Sequence, residues 1–203
     1  MKDFGLVVIG AHFGVWLKDK INEYKDKKIL LVEPVPYNYK ILQNNYSKQH
    51  NILICTNAVF SENKIKSFYF VKKDSIHKLG KHWASGIGSF EKQHILDHKN
   101  KHFKVTEEDI EKIEVEFITF DNLVDKYEIK SIDSLQIDVE GAEFEILNSI
   151  NYKKVNIKNL QFESKHFDGT FSEGTKLESI KQKLINNGFK LTQLDKENIL
   201  AKK

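Results

Sequence analysis

Two carboxylates, Asp138 and Glu140, close an apolar run that begins at Ile132, and Gly141 follows them at once. Beyond it Ala142, Ile146, Leu147 and Ile150 recur with helical spacing, so the chain passes from strand to helix at this glycine. In an open α/β sheet the carboxyl end of a strand is where ligands bind. Acids there suit chemistry better than a core. Glu143 has an ordinary explanation, because the helix dipole favours an anion in the first turn; Asp138, still on the strand, does not. His166 ends a later run, Phe162-Glu163-Ser164-Lys165-His166, and supplies an imidazole as a candidate base. The expectation is that His166 and Glu140 act as bases, with Asp138 beside a bound cofactor. The grouped acids would also suit Mg²⁺, but no metal site is expected.

A second constellation lies at the start of the chain. Gly10-Ala11-His12-Phe13-Gly14 separates an apolar run, Leu6 to Ile9, from a helical pattern. Glycines at such a turn let a ligand approach the backbone, and the helix start offers unpaired N–H groups. Glu33, followed by Pro34, ends the next apolar run about twenty residues on, where an acid can hold both hydroxyls of a ribose. The pair points to an adenosine-type ligand. Nicotinamide cofactors need a glycine where this chain has His12, to make room for a pyrophosphate. A ligand with adenosine and no phosphates, such as S-adenosylmethionine, fits better.

Substrate contacts are expected from Trp83, Ser85, Ser89 and Phe90, since aromatics flanking a loop of small residues suit a sugar. His94, His98 and His102 recur every fourth residue and could chelate zinc on a helix. The polar residues around them, Asp97, Lys99, Asn100 and Lys101, favour a solvated helix or lid instead.

These residues need a frame. Strand-like runs at Leu6–Ile9, Lys28–Val32 and Ile52–Cys55 alternate with helical patterns, an order that demands a parallel sheet with right-handed crossovers. The alternation breaks between about residues 60 and 112, read as a variable insertion that forms a substrate-side lid. Ile65–Val71 and Ile113–Phe120 are strand-like, and a short helix starts at Asp121. A capping box, Thr175 with Glu178, opens a late helix. Phe189–Leu194 and Asn198–Ala201 flank a polar turn and form a terminal hairpin. The fold class is α/β: a single Rossmann-like domain over 1–203, with a mostly parallel central sheet, helices on both faces and an antiparallel C-terminal hairpin.

Composition narrows the partners. Among 203 residues, 32 Lys and Arg against 29 acids give a formal charge of +3, too balanced to imply nucleic-acid binding. Cys55 is the single cysteine, so an internal disulfide is excluded. Phe4–Leu17 is too short to span a bilayer and lacks a cleavage site, which favours a cytoplasmic protein without membrane contact.

The chain resembles the FkbM-type methyltransferase family, of the class I fold, over nearly its whole length. The matching pieces are Ile9–Gly14, Val32-Glu33-Pro34 with Asn38, Leu42 and Asn45, Asn57–Ser61, Thr119–Leu123 and, most distinctively, Ile137–Glu143. The resemblance implies methyl transfer from S-adenosylmethionine, commonly to a hydroxyl of a sugar or small natural product. It implies that Gly10, Ala11, His12 and Gly14 line the methionine part and that Glu33 and Pro34 meet the ribose. Asn57 and Ala58 would border the adenine, and Asp138 would sit near the sulfonium. The chain departs from the family at Val8, where an acid is usual, and at His12, where asparagine is usual. It also begins close to the first strand, so a homo-oligomer completing the cofactor lid is expected. The alternative is a degenerate domain that binds cofactor weakly or not at all.

Overall fold

Alternation along β1 (Lys2–Ile9) decides the layering of the molecule. Successive side chains leave a strand on opposite faces. Leu6 and Val8 therefore enter a core with Leu17, Ile21 and Leu42, while Val7 and Ile9 enter a larger one on the other side. With both faces buried, the strand reads as an unbroken apolar run. The computed structural model describes residues 1–100, 102–169 and 174–203.

β1 pairs in parallel with β2 (Lys28–Val32) on one side and with β8 (Ile129–Ile137) on the other. β3 (Ile52–Cys55) extends the sheet beyond β2, and β9 (Asn156–Glu163) extends it beyond β8. The hairpin of β10 (Lys190–Gln193) and β11 (Asn198–Lys202) completes it, with β11 antiparallel to β9. The order is β3-β2-β1-β8-β9-β11-β10; the mostly parallel sheet with an antiparallel terminal hairpin is as the sequence predicts. The crossovers carry α1 (Lys18–Glu23), α2 (Pro36–Tyr46), α5 (Phe120–Lys126), α6 (Glu143–Ser149) and α7 (Gly174–Asn186). The order reverses between β1 and β8, which opens a crevice at their carboxyl ends.

Residues 58–119 form a second sheet. β4 (Ala58–Phe60), β7 (Ile110–Thr119), β5 (Lys64–Val71) and β6 (Gly88–Ser89) lie in that order. Phe60, Phe68, Phe70 and Phe117 join the larger core, so this sheet is packed onto the central one. Between β5 and β7, α3 (Lys73–Leu79) and α4 (Lys92–Asp97) fold over a separate cluster of Val71, Leu79, Ile95, Phe103 and Val105. The sequence hides α3 because Lys73, Asp74, Ser75, His77 and Lys78 leave it little apolar periodicity.

Three local expectations shift. Asp138 lies one residue past β8, its N–H donating to the Ile9 carbonyl at 3.0 Å. α6 starts at Glu143 rather than at Gly141. Thr175 sits inside α7, whose first turn is capped instead by Asp168, with Oδ2 accepting the Lys176 N–H at 3.1 Å.

Candidate active site

The first turn and the β8 end are pressed together. Gly10 and Ala11 donate to the Val32 carbonyl at 3.0 and 2.9 Å. Gly10 has φ +91, and a Cβ there would stand 1.7 Å from the Asp138 carbonyl oxygen. Only glycine fits. Glu33, buried at the end of β2, aims its carboxylate back at this turn: Oε2 accepts the His12 N–H at 2.9 Å. Oε1 accepts the Val35 N–H at 2.9 Å and the Asn38 amide at 3.4 Å. Burial pushes the Glu33 carboxyl up to about 7, against the pull of those donors.

Gly10, His12, Glu33, Pro34, Ala58 and Asp138 line one cleft. Its apolar wall comes from Val59, Phe68, Phe117 and Phe90, and Ser89 contributes to its rim. Val59, Phe68 and Phe117 went unrecognised in the sequence, because their strands read as core.

Other predicted residues stand behind the cleft. Ala11 is fully buried in the smaller core. Gly14 lies beneath α2, its carbonyl accepting the Tyr46 hydroxyl at 2.6 Å. Asn57 spends its side chain on Glu116 (2.7 Å) and Lys126 (2.7 Å), so its backbone neighbour Ala58, not Asn57, reaches the cleft. Val8 packs with Leu17 and Leu31.

His12 adopts φ +52, a left-handed conformation rare for such a residue. Its ring lies against Phe13, and Nε2 is 2.7 Å from the Ser85 hydroxyl. That hydroxyl donates to the His82 carbonyl at 2.7 Å, so it accepts from His12 Nε2–H. Burial lowers the imidazole to about 4, which keeps it neutral. Ser85, 1% exposed, thus braces the first turn; the substrate contact expected of it does not fit. Trp83 does not line the cleft either. Its ring packs on Phe103, centroids 4.7 Å apart, over the separate apolar cluster.

On the far side of Asp138 the site becomes charged. Glu140 has φ +56, a strained value that turns its carboxylate inward. Oε2 lies 3.3 Å from His166 Nε2 and 3.6 Å from His98 Nε2. Burial would raise the Glu140 carboxyl, but His166 and His98 hold it well below the usual carboxylate range. Glu143 faces back from α6, accepting the Val139 N–H at 2.7 Å and the Gly141 N–H at 2.9 Å. It therefore closes the turn by hydrogen bonding, beyond the helix-dipole role expected of it, and burial raises it to about 8. Asp138 is raised to about 6 by burial and then by Glu140. Glu163 is raised to about 9 by burial, Glu140 and Asp138, and pairs with Lys165 at 2.5 Å.

The histidine series corrects the sequence reading. His102 is exposed, as a solvated segment requires, but His94 and His98 are 8% and 6% exposed. Ile95, wholly buried, seats α4 on the second sheet and turns both imidazoles toward Glu140 and His166. His94 and His166 line a second, polar pocket with Gly141 and Lys176. Ser89 and Phe90 border both spaces, so the pocket adjoins the cleft.

A family model described as the methyltransferase FkbM domain matches residues 9–191. The chain belongs to this family. Solved structures share its fold. A protein of Streptococcus mutans in complex with SAH covers 99% of this chain and 90% of its own, at 8% identity and TM-score 0.50. Fibrillarin in a complex with Nop5p covers 98% and 71%, at 11% identity and TM-score 0.50. Fibrillarin of Aeropyrum pernix with bound S-adenosyl-L-methionine covers 98% of this chain, at 12% identity and TM-score 0.48; this chain spans 66% of its length. No curated protein matches in sequence.

The cofactor of this FkbM methyltransferase is S-adenosylmethionine, and the cleft fits it. The cradle at Gly10 has no room for a side chain, Glu33 offers two carboxylate oxygens, and the walls are apolar enough for an adenine. Among the described residues no helix is long and apolar enough to cross a membrane.

Proposed function

We propose that this S-adenosylmethionine-dependent enzyme methylates a hydroxyl oxygen of a sugar or small natural product, bound in the polar pocket beside the cleft. The observation that carries the reading is the His166–Glu140 pair, 3.3 Å apart, with His166 on the wall of that pocket. An alcohol must lose its proton as it attacks, and a base in place contributes about 10²–10⁴-fold. The His166 imidazole receives that proton, and Glu140 stabilises the charge that results.

The cofactor supplies an activated methyl group on a sulfonium. Glu33 holds the ribose hydroxyls with its two oxygens. Asp138, on the cleft wall, faces the cationic end, and a cation there favours its ionised form. Alignment across Ser89 and Phe90 supplies the larger share, roughly 7–11 kcal/mol for well-oriented reactants. In this reading β6 and the following residues, through Phe90, are the substrate-side lid.

His12 supports activity over degeneracy. It is the backbone N–H of residue 12 that meets Glu33, so replacing asparagine with histidine leaves this contact intact. The test is incubation with methyl-labelled cofactor and a panel of glycosides and sugar nucleotides. Label is expected in a base-stable ether; label confined to amines, esters or nucleic acid would overturn the reading.

A further inference from the structure

His94, His98, Glu140 and His166 each offer one ligand atom, and these four atoms all lie within 4.8 Å of one another. From this geometry we infer that the four side chains form a binding site for a divalent transition-metal ion of the zinc type, at the border of the polar pocket. The binding claim stands on this geometry alone; its chemical role rests on the function proposed above.

Spacing is the first argument. Glu140 Oε2 lies 3.3 Å from His166 Nε2 and 3.6 Å from His98 Nε2. Both exceed the usual length of an N–H···O hydrogen bond. Around an ion with bonds of about 2.0–2.1 Å, tetrahedral ligands stand roughly 3.3–3.4 Å apart. These two pairs are therefore already near the spacing of ligands on a common centre; the remaining atoms, all within 4.8 Å of one another, draw in by up to about 1.4 Å on binding.

Orientation is the second. His98 Nδ1 lies 2.8 Å from the His94 carbonyl, which can only accept, so Nδ1 carries a proton. That leaves Nε2 as the ring nitrogen on the Glu140 side, 3.6 Å from Oε2. Metal-binding histidines are held this way, with the distal nitrogen donating to a carbonyl or carboxylate.

The backbone is the third argument. Glu140 is held at φ +56 and Gly141 at φ +106, and a Cβ on Gly141 would stand 3.0 Å from the His94 ring. A strained turn brings the carboxylate in, and a bare glycine lets the imidazole seat against it. Three imidazoles with one carboxylate suit zinc, iron, nickel or copper and do not suit Mg²⁺ or Ca²⁺, which prefer oxygen ligands.

The four side chains fill a tetrahedral shell, so an acceptor hydroxyl in the pocket that His94 and His166 line would meet the ion as a fifth ligand. Binding to the ion lowers the pKa of that hydroxyl. The proton then leaves the oxygen for solvent, and the resulting alkoxide attacks the methyl carbon as the carbon–sulfur bond breaks. With the ion bound, His166 and Glu140 serve as its ligands, and loss of the proton to solvent replaces the direct transfer to His166 described above.

The full chain, stripped with a chelator, is titrated with Zn²⁺ by calorimetry, with S-adenosylmethionine binding followed in parallel. One Zn²⁺ per chain is expected to bind at submicromolar affinity. His98→Ala and His166→Ala should each weaken it by about 100-fold or more, given that loss of a mere supporting group costs 10–100-fold. The control His102→Ala should bind like wild type. X-ray absorption of the zinc-loaded wild type needs no variant, and should count three imidazoles. Failure of the folded wild type to bind Zn²⁺, equal binding by both histidine variants, or fewer than two imidazoles around the ion would overturn the site. The parallel cofactor titration separates that failure from a failure of the methyltransferase reading.

Discussion

The two halves of the site are built from different material. The cofactor half is made mostly of backbone set around one carboxylate: Gly10 against the Asp138 carbonyl, and the His12 and Val35 N–H groups on Glu33. The acceptor half is made of side chains from distant segments, with His94 and His98 from α4 and its C-terminal end meeting Glu140 and His166 beyond the ends of β8 and β9. A backbone site tolerates changes of side-chain type, as at His12, and fails where a glycine is lost. A side-chain site fails where a side chain changes type.

That contrast can be broken by substitution. The largest effect is expected from Gly10→Ala, whose Cβ has nowhere to go against the β8 end. Cofactor binding should vanish, with a loss of stability of about 4 kcal/mol or more, read by calorimetry and thermal unfolding. Glu140→Gln should lower kcat by about 10²–10⁴-fold while leaving cofactor affinity unchanged; a loss of cofactor affinity would merge the two halves.

Glu33→Gln should act in the opposite sense. It removes the charge that receives the ribose hydroxyls, at about 1.5–3 kcal/mol, or roughly 10–150-fold in cofactor affinity. Because Glu33 is raised to about 7, its ionised form fades below neutral pH. Affinity for S-adenosylmethionine should fall by up to about tenfold per unit as pH drops below about 7. Without cofactor the linkage runs the other way. A carboxyl raised in the folded state contributes stability that is complete below its unfolded value, near 4.5, and is lost as pH rises through about 7. Thermal unfolding from pH 5 to 8 should show this decline, and Glu33→Gln should flatten it.

Trp83→Ala marks the small end. The ring rests on Phe103 outside both pockets, so stability should fall by about 0.5–1.5 kcal/mol and kcat/KM should stay near wild type. A large rise in KM would return Trp83 to the acceptor site.

The same contrast explains what the sequence disclosed. Strands buried on both faces left unbroken apolar runs, so the central sheet and terminal hairpin were legible. Gly10 and Glu33 were legible because a turn and a strand end carry their chemistry in a few consecutive residues. His94 and His98 were visible as a pair four apart, but their polar neighbours argued for solvent. Their burial follows from Ile95 docking on a sheet whose strands, β5 and β7, are 38 residues apart between Val71 and Ile110 and announce no partner. Ser85 and Trp83 looked alike in sequence, as small and aromatic members of one loop. The fold sent one under the first turn and the other onto Phe103.

The most direct test of these divided roles is calorimetric titration of wild type, Glu33→Gln and His166→Gln with S-adenosylmethionine at pH 8. The account predicts one site on wild type, binding weakened by about 10–150-fold in Glu33→Gln, and His166→Gln within about threefold of wild type. Absence of binding to wild type at millimolar cofactor, or equal losses in both variants, would contradict it.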